Sequence, residues 1–192
     1  MNKKHIITIA GKLGSGKSST AKRVAEILGY EHKSTGDFFR SIAKERGVST
    51  VELNKLAETD MSIDREADDR NIEIGKMENI VLDSRLGFHF IPNSFKVFLE
   101  LNPKIAAKRI LEDKNDNLNR GNETSSSFDT EDQILNSISE RLLLEKNRYK
   151  EIYEIEDNTA HSNFDLIIDT ENTPLEEVSK KVIEEYNNWL NK

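Results

Sequence analysis

The chain has 192 residues, 35% of them hydrophobic, and a formal net charge of −7. A single domain of that length buries a sizeable core unaided, and the absence of cysteine excludes disulfides, zinc–thiolate sites and thiol catalysis. The acidic balance argues against a protein that coats nucleic acid, so any phosphate chemistry must concentrate its arginines locally.

The first element is the apolar run 5–10 (HIITIA), which reads as a strand. It is too short for a secretory signal, and no stretch approaches the roughly 20 apolar residues of a membrane span. A cytoplasmic monomer that engages neither membrane nor nucleic acid is expected. The strand runs into Gly11, Lys12, Leu13, Gly14 and Ser15, then Gly16, Lys17, Ser18 and Ser19, ahead of a helical pattern over 16–28. Gly11, Gly16, Lys17 and Ser18 fill the fixed positions of G-x-x-x-x-G-K-[ST]. Glycines let several backbone N–H groups turn inward on phosphate oxygens, and the helix that starts there adds the positive end of its dipole. Lys17 is placed to reach the β- and γ-phosphates of ATP, and the Ser18 hydroxyl to ligate Mg²⁺. The competing reading, a Gly/Ser turn, does not require all four positions and both flanks.

A short strand at 30–33 leads to Ser34, Thr35, Gly36, Asp37, Phe38, Phe39 and Arg40 at the start of a helix over 36–46. Thr35 can cap that helix, and Arg40 can fork onto a phosphate. Leu53, Leu56 and Ala57, with Ile63, Ile72 and Ile74, read as core or pocket wall of short helices, including one over 62–77. The acidic run 66–69 reads as a solvated face. Strand 79–83 ends on Asp83, Ser84 and Arg85, strand 95–101 follows, and helix 103–113 carries Arg109. Residues 114–130 (KNDNLNRGNETSSSFDT) are polar and aperiodic, which is the composition of a mobile loop. Helix 131–153 sets Arg141, Glu145 and Arg148 at i, i+4 and i+7 on one face, and 151–157 reads as a second solvated acidic face. Strand 164–169 and helix 174–190 complete the chain, with Trp189 anchoring the last helix. The four histidines show no ligand or triad spacing.

Strands alternating with helices predict a three-layer α/β protein with a five-stranded parallel sheet and right-handed crossovers, in which ligands bind beyond the carboxyl ends of the strands. With the glycine loop, this is the P-loop NTPase fold. One domain over 1–192 is expected, with a small mobile lid at about 110–132.

S-T-G-D-x-x-R after the second strand resembles the acceptor-binding signature of nucleoside monophosphate kinases. Asp83, Ser84 and Arg85 resemble the short cytidylate kinase pattern rather than the D-G-F-P-R of adenylate kinases. Helix 131–153, with Arg141, Glu145, Arg148 and the tyrosine run Tyr149 and Tyr153, is similar to the arginine–acid–arginine helix of cytidylate kinases. The resemblance implies ATP–Mg²⁺ on residues 11–18 with Asp83 holding the metal through its water shell. It places an acceptor phosphate among Arg40, Arg85, Arg141 and Arg148, and Arg109 and Arg141 on the transferred group. Asp37 and Glu145 are expected to orient arginines or to touch sugar and base. The segment IDREADDR resembles a cytidylate kinase segment near the acceptor pocket, which makes Arg65 and Arg70 candidates. One departure stands in the lid. Relatives commonly show R-I-x-x-R, whereas Arg109 and Ile110 are followed by Asp113, so either Lys114 or Arg120 substitutes or the lid contributes less charge than usual.

The expected reaction is phosphorylation of CMP or dCMP by ATP. Another monophosphate such as AMP, or a small alcohol, is the alternative acceptor. A GTP-dependent switch lacks its base reader: Asn54, Lys55, Leu56, Ala57 does not make N-K-x-D.

Overall fold

The structure is a computed structural model that describes residues 3–57, 60–116 and 130–192. Five strands form one parallel sheet: β1 (Ile6–Gly11), β2 (Glu31–Ser34), β3 (Ile80–Asp83), β4 (Phe95–Glu100) and β5 (Leu166–Asp169). Their order is β2-β3-β1-β4-β5. All six residues of β1 and all four of β3 are buried, as a strand covered on both faces requires. The edge strand β2 (EHKS) is mixed instead.

Among the described residues eight α-helices join them: α1 (Lys17–Leu28), α2 (Thr35–Glu45), α3 (Thr50–Ala57), α4 (Met61–Ile74), α5 (Gly87–Phe90), α6 (Pro103–Asp116), α7 (Glu131–Tyr153) and α8 (Leu175–Leu190). Side chains alternate across a strand, so Ile7 and Ile9 face one layer. There they meet Ala21 and Val24 of α1 and Val178, Val182 and Tyr186 of α8. On the other face Ile6, Ile80 and Leu82 pack on Ile74 and Ile91. A separate cluster, Ile42, Ala43, Leu53, Ala57, Ile63 and Ala67, binds α2, α3 and α4 into a small helical unit. Of the expected wall residues, Leu56 and Ile72 prove exposed, at 45% and 44%. Trp189 does anchor α8, stacked on Tyr186 and tilted against Phe95.

Strand and helix limits follow the sequence reading closely. The differences are the short α5 and a 3-10 turn at His161–Asn163, each too short to show a period, and the ends of α4 at Ile74 and α6 at Asp116, expected at 77 and 113. Of the expected lid, residues 117–129 with Arg120 lie outside the described residues, while 114–116, expected as loop, continue α6 to Asp116. Among the described residues, no helix is long and apolar enough to cross a membrane.

Candidate active site

The loop from Gly11 to Gly16 connects the central strand β1 to α1, so it stands at the carboxyl edge of the sheet where β1 lies between β3 and β4. Two glycines are required there by geometry. A Cβ on Gly11 would lie 2.5 Å from the Leu99 carbonyl oxygen, and Gly14, at φ 71°, has its Cβ position 3.1 Å from the Ala106 backbone. Gly16, the N-cap of α1, offers no side-chain cap. The first N–H groups of that helix therefore remain for an anion.

Lys17 donates from Nζ to the Lys12 carbonyl at 3.2 Å. Desolvation, reinforced by the nearby Arg85 charge, lowers its pKa to about 8. Ser18 Oγ donates to Asp83 Oδ2 at 2.5 Å, which sets a hydroxyl and a carboxylate side by side at the ends of α1 and β3. Lys12 turns aside to pair with Glu100 at 2.7 Å.

Beside the loop opens a cleft of about 320 Å³, lined by Lys17, Ser18, Thr35, Arg40, Asp83, Arg85, Arg141, Glu145 and Arg148 among others. Residues that the sequence separates by more than a hundred positions meet here. Arg85 Nη1 and Arg141 Nε both lie 2.9 Å from Glu145 Oε1. Burial would push the Glu145 carboxyl up, but the Arg85 and Arg141 charges outweigh it and hold it below the usual range. Glu145 thus orients two guanidinium groups, and one turn further along α7 Arg148 approaches Asp64 at 3.9 Å. The i, i+4, i+7 face read from the sequence is the wall of the cleft.

Several expectations need correction. Thr35 does not cap α2. Ser34 is the N-cap, without a side-chain bond, and Thr35 Oγ1 donates across the cleft to Asn71 Oδ1 at 3.0 Å. Asp37 is exposed and does not line the cleft, which leaves it off the sugar and base, but it pairs at 2.5 Å with Arg40, which does line it. Arg109 does not line it either. Its Nη2 donates to the Thr170 and Glu171 carbonyls at 2.7 and 2.9 Å, because α6 presents that side chain to the end of β5. Arg65 is exposed, and Arg70 pairs with Glu66 and Glu45. The 66–69 run is not wholly a solvated face, since Asp68 turns inward and accepts from the Tyr153 hydroxyl at 2.7 Å. The inward residues of α4 are Asp64, Ala67, Asp68 and Asn71. Their i, i+4, i+7 spacing was the available signal, masked by the charges around them.

Among known proteins, the family model described as an AAA domain matches residues 7–129. The cytidylate kinase of Natronomonas pharaonis is 37% identical over 171 residues, covering 86% of this chain and 80% of that protein.

The chain belongs to the cytidylate kinase family.

A second relative, the S-adenosylmethionine-dependent nucleotide dehydratase of Lacinutrix mariniflava, is 35% identical over 94% of this chain; the chain spans 35% of that protein's length. The shikimate kinase of Bacteroides thetaiotaomicron superposes with a TM-score of 0.64 at 14% identity, covering 97% of this chain and 98% of its own. That likeness establishes the P-loop kinase fold. As a cytidylate kinase family member the chain is a phosphotransferase that binds nucleotides, and its glycine loop and arginine-lined cleft lie side by side.

Proposed function

We propose that this protein transfers the γ-phosphoryl group of ATP to CMP or dCMP. The observation that carries the reading is the convergence of Lys17, Arg85, Arg141 and Arg148 on one cleft beside the glycine loop. Two polyanions brought end to end repel each other, and cations already held in place lower that barrier without reorganising. The loop N–H groups and Lys17 would hold the donor's phosphates. Arg85 and Arg148, with Arg40 at the rim, would hold the acceptor's phosphate, and Arg141 would meet the transferred group. Phosphoryl transfer asks little covalent chemistry of the protein, so alignment and charge neutralisation account for its part.

The Ser18 hydroxyl and Asp83 carboxylate suit a hard, oxygen-seeking ion. Among the described residues no group of three His, Cys, Asp or Glu could cage a metal. An ion at Ser18 and Asp83 would take its other ligands from water and phosphate, as Mg²⁺ does. Bound there, Mg²⁺ would neutralise charge on the donor's phosphates.

The test is a coupled ADP-release assay with CMP, dCMP, UMP, AMP, GMP and shikimate offered in parallel. Cytidine nucleotides should stimulate release most strongly. Strongest stimulation by any other acceptor would overturn the assignment and leave the fold intact.

A further inference from the structure

Strand β3 delivers three consecutive side chains to the cleft, and two of them are already engaged. Asp83 accepts from Ser18 at 2.5 Å, and Arg85 reaches Glu145 at 2.9 Å. Ser84, between them, is not. It lines the cleft and is only 3% exposed, yet its Oγ has no hydrogen-bond partner among the described residues. Buried hydroxyls are normally satisfied, and one left alone costs the free protein stability. Similar atoms on Ser15, Asn93 and Ser179 do not line the cleft.

The backbone under Ser84 is fixed. Its N–H donates to the Ile9 carbonyl at 3.1 Å, which carries the β3–β1 pairing one residue beyond Asp83. Gly87 packs so closely that a Cβ there would stand 2.9 Å from Thr8 Cβ and 3.4 Å from Ser84 Cβ. Side chains alternate along an extended chain. Asp83 therefore turns to α1 and Ser18, while Ser84 takes the opposite face, on the side of Leu82, α4 and α5. The groups around it decide what it can bind. Lys17, Arg85, Arg141 and Arg148 line the same cleft and can only donate. The carboxylates of Asp83 and Glu145 are held by Ser18 and by the Arg85 and Arg141 guanidinium groups. A hydroxyl proton in that company goes to a bound anion. Arg148 Nε is a second donor without a partner among the described residues, so one group rich in acceptors would satisfy both.

We propose that the Ser84 hydroxyl donates to the phosphate of the acceptor nucleotide, alongside Arg85 and Arg148. The proposal rests on the assignment of a nucleoside monophosphate acceptor. Guanidinium groups supply charge, which attracts an anion from many directions. A neutral hydroxyl on a rigid backbone adds direction without adding to the repulsion among the cations. It fixes the rotation of the phosphate and so selects which oxygen faces the donor. Because Asp83 faces α1 and Ser84 the other layer, consecutive residues serve the two substrates. Every nucleoside monophosphate carries the same phosphate, so this contact is blind to the base.

The experiment measures KM for CMP, dCMP, UMP and ATP in the wild-type protein, Ser84→Ala and Ser84→Cys, together with the Tm of each unliganded protein. Loss of one hydrogen bond to a charged group should raise KM for every monophosphate about ten- to a hundredfold, by a common factor, and leave KM for ATP within about threefold. Ser84→Cys, close in shape but a weak donor, should lose as much. Removing an unpaired buried hydroxyl should hold or raise the Tm of unliganded Ser84→Ala, which the loss of a structural contact would not do. A folded Ser84→Ala that keeps KM for the monophosphates within about threefold of wild type would overturn the proposal. So would a rise confined to ATP, or a rise for both substrates with a lower Tm. Wild-type preference for another monophosphate would instead overturn the proposed function, and the variants are then read on that acceptor. Preference for an acceptor without phosphate would overturn both.

Discussion

An ammonium buried away from water under a glycine loop, with two guanidinium groups beside it, loses part of its hold on a proton. Lys17, at about 8, is that group. Its unfolded value is higher, so between roughly pH 8 and pH 10.5 the unfolded chain binds more protons, and its contribution to stability rises with pH across that window. Triphosphate binding supplies the missing negative charge and restores the ordinary basicity. Calorimetry of ATP binding at pH 8, in buffers of different ionisation enthalpy, should therefore show uptake of about half a proton per site. That uptake should vanish in Lys17→Met, and its absence in the wild-type protein would refute the account. Arg109 makes the contrasting case. A lost arginine finger costs on the order of 10³-fold in rate, but Arg109 binds the Thr170 and Glu171 carbonyls instead. Arg109→Ala should keep kcat within about tenfold and lower the melting temperature. A thousandfold loss of kcat would return Arg109 to the chemistry.

At the scale of elements, the two helices that carry the site start in opposite ways. α1 has no side-chain cap, so its first turn is left for phosphate. α7 begins with a full capping box, in which Thr130 and Gln133 satisfy each other's backbone. That pattern is legible as T-x-x-Q before an amphipathic run, and it secures the helix that carries Arg141, Glu145 and Arg148. Thr130→Ala should cost about 1 kcal/mol, or a fall of about 2–4 °C in Tm for a domain of this size. Thermal unfolding by circular dichroism checks it, and an unchanged Tm would show the cap to be idle. The strands were legible because buried parallel strands are continuous apolar runs. The inward face of α4 was not, because Asp64 and Asp68 sit among Glu66 and Asp69 and nothing local tells an inward acid from a solvated one.

At the scale of the whole molecule, an acidic chain brings cations from distant segments to one cleft. Lys17, Arg40, Arg85, Arg141 and Arg148 share the cleft with the carboxylates Asp64, Asp68, Asp83 and Glu145. Any tetrahedral dianion that fits among them should stabilise the fold by mass action. About 20 mM sulfate should raise Tm by a few degrees over sodium chloride of equal ionic strength, and Arg85→Ala should abolish the difference. Equal effects of the two salts would mean that screening acts alone and that the cations form no specific site. The cleft lies between the unit built from α2, α3 and α4, with its own apolar cluster, and α7, which packs on α6 through Ile134 and Ile138.

The sequence alone determined the sheet, the glycine loop and the arginine face of α7, because each depends on spacing within a few residues: alternation or apolar continuity for strands, φ-permissive glycines for the loop, and a 3.6-residue turn for the helix. It also carried the family resemblance. Tertiary structure decided what those local patterns leave open. Arg109 turned to two carbonyls, Thr35 crossed to Asn71, and Asp68 faced Tyr153 instead of solvent. Each of these depends on which atoms of a distant segment arrive within hydrogen-bond reach, a distance that packing sets and that no short window of residues contains.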